Sequence, residues 1–182
     1  DEALINWLGF NNDGSEIIKK RILKNKKKGI LGINIGPNKQ TKNQKDDFIL
    51  GLKNFYNLAD YIAINISSPN TENLRDFHEV KKLNELLKII NKEKEKENIT
   101  TPIMLKISPD INDSTIDEIS EIAINNSIAA LILTNTTNTN RNNLIELQKN
   151  EIGGLSGKPL EDISNNIIKK FYKKLNGKII II

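Results

Sequence analysis

The chain has 182 residues, 37% of them hydrophobic and 27% charged, with no cysteine, one histidine and a formal net charge of +4. No apolar run approaches the roughly 20 residues of a membrane-spanning helix, and the lack of cysteine excludes a disulfide scaffold, a thiolate metal site and a cysteine nucleophile in this stretch. A single histidine excludes a two-imidazole metal site, and the basic residues alternate with acids (Lys92-Glu93-Lys94-Glu95-Lys96-Glu97) instead of clustering with arginine and aromatics, so no nucleic-acid partner is expected.

Ser15 is placed to cap a helix through Leu23, with Ile17, Ile18, Ile22 and Leu23 on one side. A short apolar strand follows over residues 29–36. Residues 46–58 put Phe48, Ile49, Leu52, Phe55 and Tyr56 on one helical face. A second strand is predicted over 60–67, then a helix over 80–97 carrying Leu83, Leu86, Leu87 and Ile90, with a solvated charged end. A third strand is predicted over 102–108. Asp113 or Ser114 starts a helix to residue 125 with Ile116, Ile119, Ile122 and Ala123 inward. A fourth strand spans 129–135. A polar Asn/Thr-rich excursion then leads to Gly153-Gly154-Leu155-Ser156-Gly157-Lys158-Pro159, a helix over 160–175 bearing Ile163, Ile167, Ile168 and Phe171, and a fifth strand at 178–182.

Strand–helix alternation with short connections means right-handed βαβ units and a parallel sheet. Residue parity gives each strand a greasy face and a small or polar one. Ile62, Ile64 and Ile66 oppose Ala63, Asn65 and Ser67; Ile103, Leu105 and Ile107 oppose Met104, Lys106 and Ser108; Leu31, Ile33 and Ile35 oppose Gly32 and Asn34. Polar residues late in parallel strands and facing one centre favour a (β/α) barrel. An open doubly wound sheet is more often apolar on both strand faces. The start at Asp1 and the stop within an isoleucine run suggest an internal piece of a longer chain. The excess of Lys over Arg and of Ile over Val reads as genome composition, not function.

Several strand ends carry chemistry. Asn65-Ile66-Ser67-Ser68-Pro69-Asn70-Thr71 offers amides and hydroxyls just after a buried strand. Amides supply both donors and acceptors to a flat ligand rich in C=O and N–H, though an Asx/Ser turn would look the same. Lys106, between apolar residues, needs an anion or reduced cofactor on the inner face, or else lies at the sheet rim. Thr134-Asn135-Thr136-Thr137 repeats the amide–hydroxyl theme. Gly154-Leu155-Ser156-Gly157 reads as a glycine loop whose N–H groups could take phosphate at a helix start. His78 reads as a surface histidine, and Trp7 and Met104 as packing residues. No histidine, cysteine or carboxylate pair joins these groups. Triad hydrolases, glycosidases and zinc enzymes are disfavoured, and a redox reaction with the hard chemistry on a cofactor is favoured.

The ordered motifs Asn6-Trp7-Leu8-Gly9-Phe10-Asn11, Gly32-Ile33-Asn34-Ile35-Gly36 with Asn38-Lys39, DYIAINISSPNT at 60–71, LKISPD at 105–110, TNTT at 134–137 and GGLSGKPL at 153–160 together resemble the dihydroorotate dehydrogenase family, over essentially the whole chain. The resemblance implies a (β/α)8 TIM barrel of which residues 1–182 would be the central part, truncated at both ends, with FMN at the carboxyl-terminal face. Ser68 stands where the soluble class 1 enzymes have cysteine, so the chain looks like the quinone-dependent class 2. On that basis Ser68 would be the catalytic base toward dihydroorotate, with Thr71 a neighbour on its proton path. Asn6, Trp7, Leu8, Gly9, Phe10, Asn65, Asn70, Asn135 and Thr136 would bind the substrate, and Asn34, Asn65, Lys106, Thr134 and Gly157 would hold FMN. Orotate would be the product and a quinone the final acceptor. The missing amino-terminal region would give peripheral membrane association, at the cytoplasmic side of a bacterial cell membrane or at the inner mitochondrial membrane. The resemblance implies no metal. Trp7 and Pro37 depart from the basic residues usual at their positions. The alternatives are a class 1 dihydroorotate or dihydropyrimidine dehydrogenase, a degenerate barrel, and a non-catalytic lysine-rich binding domain.

Overall fold

In chain order the elements are β1 (Ala3–Asn6), α1 (Ser15–Lys24), β2 (Gly32–Ile35), α2 (Gln44–Phe55), β3 (Tyr61–Asn65), a 3-10 turn (Leu74–His78), α3 (Val80–Lys96), β4 (Ile103–Ile107), α4 (Asp113–Asn125), β5 (Ala130–Leu133), a second 3-10 turn (Leu147–Asn150), β6 (Gly154–Gly157), α5 (Lys158–Leu175) and β7 (Ile180–Ile181). They belong to a computed structural model that describes residues 2–25, 28–38, 40–71, 73–139, 141–142 and 144–182. Lys39, named in one motif above, lies outside the described residues.

The main sheet is parallel, in the order β2-β3-β4-β5-β7, and a helix fills each connection between neighbours. A strand order that advances without reversing is that of a barrel wall; a doubly wound sheet reverses at its switch point. The register aligns Asn34 with Ala63, Ala63 with Met104 and Met104 with Ala130, and one layer further on Asn65 with Lys106 and Lys106 with Ile132. These residues form the inner face. Ile62, Ile64, Ile103, Leu105, Ile107 and Leu131 point the other way and are buried. The predicted division into a greasy and a polar face is therefore the observed one.

The helices cover the greasy face because their apolar residues recur every third or fourth position. In α3 the buried stripe is Leu83, Leu86, Leu87 and Ile90; in α2 it is Phe48, Leu52 and Phe55; in α5 it is Ile167, Phe171 and Leu175. Phe48 meets Phe77 edge-on, with ring centroids 5.7 Å apart, and so ties α2 to the first 3-10 turn. α4 starts at Asp113, one of the two predicted residues, and the residue before it supplies the cap. Asn112 is the cap, its side chain accepting the Thr115 amide at 2.9 Å. Gly14, not Ser15, caps α1, and Ser15 Oγ accepts from Asn54 Nδ2 at 3.2 Å.

Two strands are additions to the predicted set. Residues 154–157 form β6, not a loop, and pair antiparallel with β1, from Ala3 against Gly157 to Asn6 against Gly154. Gly157 makes the closure possible. Its φ is 94°, and a Cβ there would lie 2.3 Å from the Glu2 carbonyl oxygen. The Lys158 amide donates to that same carbonyl at 3.0 Å. The pair β1–β6 continues through a bridge between Leu155 and Thr137, so it lies against the loop after β5.

Candidate active site at the strand ends

The carboxyl ends of β3, β4 and β5 converge through side chains that the sequence places after each strand. Asn65, last in β3, is buried; its Oδ1 accepts the Ser67 amide at 3.1 Å and the Ser67 hydroxyl at 2.8 Å. Asn135, two residues past β5, donates from Nδ2 to Ser67 Oγ at 2.9 Å, and its own amide donates to Ile107 O of β4 at 3.0 Å. Asn135 Oδ1 accepts the Thr136 amide at 2.7 Å. The result is a directed relay, Asn135 to Ser67 to Asn65, in which Ser67 and Asn65 are buried and Asn135 half-buried.

Ser68 follows directly. It is 7% exposed, and its Oγ accepts the Asn70 amide at 3.2 Å. Thr71, the expected proton-path neighbour, is also buried. Asn70 Nδ2 donates to the Asn6 carbonyl at 3.2 Å, which joins the end of β1 to the loop. Gly154 of β6 fits between Thr136 and Pro69: a Cβ there would be 2.1 Å from Thr136 Oγ1 and 3.3 Å from Pro69 Cγ. Thus Asn6, Asn65, Ser68, Asn70, Asn135 and Thr136 lie in one cluster of loops at the strand ends.

Lys106 lies beside Asn65 on the inner face, half-buried, with no hydrogen-bond or ion-pair partner for its ammonium among the described residues. Burial alone pushes its pKa below the ordinary lysine value. Asn34, on the same face of β2, is exposed and shares an open pocket with Phe10. The Phe10 ring lies over Gly36, where a Cβ would be 2.4 Å from the ring.

Other predicted residues are placed differently. The Thr134 hydroxyl donates to the Asn135 carbonyl at 3.1 Å and to Ser164 Oγ of α5 at 3.2 Å; the Leu133–Thr134 peptide bond is cis. Gly157 is engaged with β1. Trp7 and Leu8 are 61% and 70% exposed, so Trp7 is not the packing residue its type suggested. Gly9 adopts φ 65° in an open turn.

His78 corrects a further expectation. It is buried, not on the surface: Nδ1 lies 2.9 Å from the Arg75 carbonyl, and Nε2 lies 3.3 Å from the Ser108 amide. An amide must donate, so Nε2 accepts and Nδ1 carries the proton. Burial holds the imidazole pKa below 6.5; the Arg75 carbonyl opposes that shift, the Arg75 charge adds to it, and Asp110 offsets part of it.

Arg75 and Asp110 were missed in the sequence. Their ion pair is 2.7 Å long, with side chains 22% and 12% exposed. The only sequence signal was position: Asp110 closes the LKISPD motif and Arg75 follows the DYIAINISSPNT motif by four residues, and acids at 72, 76 and 79 gave Arg75 nearer candidate partners in sequence.

A family model described as dihydroorotate dehydrogenase matches residues 1–182. The chain belongs to the dihydroorotate dehydrogenase family. Curated relatives named dihydroorotate dehydrogenase (quinone) include that of Wigglesworthia glossinidia brevipalpis, 47% identical over 189 residues (99% of this chain, 56% of the relative). That of Bartonella henselae is 44% identical over 187 residues (100% of this chain, 51% of the relative). The DHODH of Eimeria tenella superposes in its ligand-free form with a TM-score of 0.91 at 33% identity, covering 100% of this chain and 57% of that one. Its structure in complex with ferulenol gives 0.91 at 32% identity, with 100% and 55% covered. The chain spans about half the length of the curated relatives it matches. The dihydroorotate dehydrogenase superposition agrees with the barrel-wall strand order.

Proposed function

We propose that residues 1–182 form the central part of a single FMN-binding (β/α) barrel domain, and that the whole protein oxidises dihydroorotate to orotate in pyrimidine biosynthesis, passing electrons to a quinone. The carrying observation is the Asn135–Ser67–Asn65 relay, buried at Ser67 and Asn65. It draws the Ser68 loop and the amide groups together beside the inner face, where the Lys106 ammonium has no partner among the described residues.

The residues present fit a flavin. Lys106 is a partly desolvated cation with no counter-charge among the described residues, beside amide groups that can read a flat heterocycle. Asn34, Asn65, Lys106, Thr134 and Gly157 would hold FMN, which supplies the hydride acceptor when bound. The Lys106 ammonium stabilises negative charge brought to its side of the inner face. Asn6, Asn70, Asn135 and Thr136, together with Trp7, Leu8, Gly9 and Phe10, would orient the substrate's carbonyls and ring N–H groups. Ser68 would take the C5 proton of dihydroorotate as its own hydroxyl proton leaves along the path on which the resemblance puts Thr71. The Asn70 amide pointing at Ser68 Oγ favours that oxygen in its charge-rich form.

The sequence similarity to relatives named dihydroorotate dehydrogenase (quinone) supports the quinone as acceptor. Among the described residues no helix is long and apolar enough to cross a membrane. Association with the quinone-bearing membrane is proposed as peripheral, through a region outside this chain. The test uses the full-length protein carrying its flavin. Anaerobic dihydroorotate should bleach the flavin absorbance, and a quinone, not fumarate or NAD, should restore it. A flavin left unbleached by dihydroorotate rejects the proposal, and reoxidation by fumarate or NAD alone rejects the quinone.

A further inference from the structure

Arg75 spreads its guanidinium over the loops that follow three successive strands. Nε donates to the Ser67 carbonyl at 3.2 Å, after β3. Nη2 donates to the Thr136 carbonyl at 3.1 Å, after β5. Nη1 donates to Asp110 Oδ2 at 2.7 Å, after β4, and to Asn138 Oδ1 at 2.9 Å. Asp110 carries the network further into the third loop. Its Oδ1 accepts the Thr137 hydroxyl and, at 3.1 Å, the Thr139 hydroxyl; its Oδ2 accepts the Asn138 amide at 3.2 Å. The 3-10 turn that bears Arg75 is itself fixed to β4 by the His78 bridge to Ser108.

The two carbonyls that Arg75 grips belong to the residue before Ser68 and the residue after Asn135. They flank the groups proposed as base and as substrate-binding amide. A rigid planar fork with five N–H donors sets both the separation and the tilt of two loops, which the point charge of a lysine does not. Neither Arg75 nor Asp110 belongs to the residues proposed to touch substrate or flavin.

We infer that Arg75, oriented by Asp110, is the positioning residue that sets the spacing between the Ser68 loop and the Asn135–Thr136 loop, and so aligns base and amides on one substrate ring. The inference rests on the dihydroorotate reading above. A displacement of about 1 Å in a reacting group can cost 10²-fold in rate. The effect belongs to the step that uses both loops, and not to the transfer of electrons to the quinone.

The test compares full-length protein with Arg75→Lys, which keeps the charge and removes the fork. Rates are taken per bound flavin and well below the melting temperature. Bleaching of the flavin by dihydroorotate is expected to slow by at least about tenfold, with KM for dihydroorotate raised about tenfold. Quinone reoxidation of the photochemically reduced flavin should stay within about twofold, because that step uses neither loop. A merely structural role predicts a lower melting temperature with both half-reactions per flavin unchanged, and that result overturns the inference. Asp110→Asn keeps the size but removes the charge and turns one of the two acceptor oxygens into a donor. It should show the same selective loss to a smaller degree, and it carries the test if Arg75→Lys does not fold. Equal losses in both half-reactions also overturn the inference. Should wild-type flavin fail to bleach with dihydroorotate, the functional reading itself is the part that fails.

Discussion

Asn135 Nδ2 lies 2.9 Å from Ser67 Oγ, and this bond joins loops that are 68 residues apart in the chain. Ser67 Oγ is both acceptor and donor there, since it passes its own proton to Asn65 Oδ1. Ser67→Ala would remove one hydrogen bond from the half-buried Asn135 Nδ2 and one from the buried Asn65 Oδ1. It is expected to lower the unfolding free energy by about 1–3 kcal/mol, the scale of two lost intramolecular hydrogen bonds. Urea denaturation of the wild type and the variant measures the difference.

Ser68→Ala in the full-length protein should leave flavin content intact and slow flavin reduction by dihydroorotate by about 10²-fold or more, the scale of a lost general base. Stopped-flow bleaching reads the rate. A near-normal rate would move the base elsewhere.

Lys106→Met removes a half-buried cation whose desolvation is offset by no counter-charge among the described residues. Stability without flavin should therefore hold or rise, while flavin affinity drops by at least about tenfold. Equilibrium dialysis and thermal melts of flavin-free protein separate the two. Burial lowers the pKa of this ammonium, so its charge is present below that lowered value and is lost above it, at a less alkaline pH than for an ordinary lysine. Wild-type flavin affinity should weaken over that alkaline range, and the affinity of Lys106→Met should not.

His78 adds a dependence on the acid side. Its folded pKa lies below the ordinary 6.5, so between the two values the unfolded chain binds a proton that the folded chain does not. The stability that His78 contributes is complete above the ordinary histidine range and is lost as the pH falls through it toward the folded value. The charged groups around it are Arg75, Asp76 and Glu79 on its own segment, Asp110 after β4 and Glu118 on α4. His78→Gln, which keeps a donor and an acceptor without titrating, should flatten the change in urea midpoint between about pH 7.5 and 5.5.

Period and parity made the parallel strands and their helices readable, because each buries one stripe or one face over at least one full turn or several alternations. The cap was not readable. Ala3–Asn6 and Gly154–Gly157 have four residues each, and the second is half glycine, so neither carries an alternating pattern. Their pairing is a long-range fact that local residues do not encode. His78 looked exposed because its sequence neighbours are charged, yet the 3-10 turn points its ring at Ser108. Asn65, Ser67, Ser68 and Asn135 were readable as polar groups at strand ends. Arg75 and Asp110 were not, since each is an ordinary surface charge until the other arrives.

The pairing of β1 with β6 also bears on how the chain folds. It joins the first residues of the chain to a segment roughly 150 positions later, so closing it requires ordering nearly all of the intervening polypeptide. The parallel units β2–β5, linked by helices over short spans, can assemble earlier at lower entropic cost. The Asn6–Asn70 link then closes late, and substitutions in this closure should chiefly hasten unfolding while leaving the refolding rate nearly unchanged.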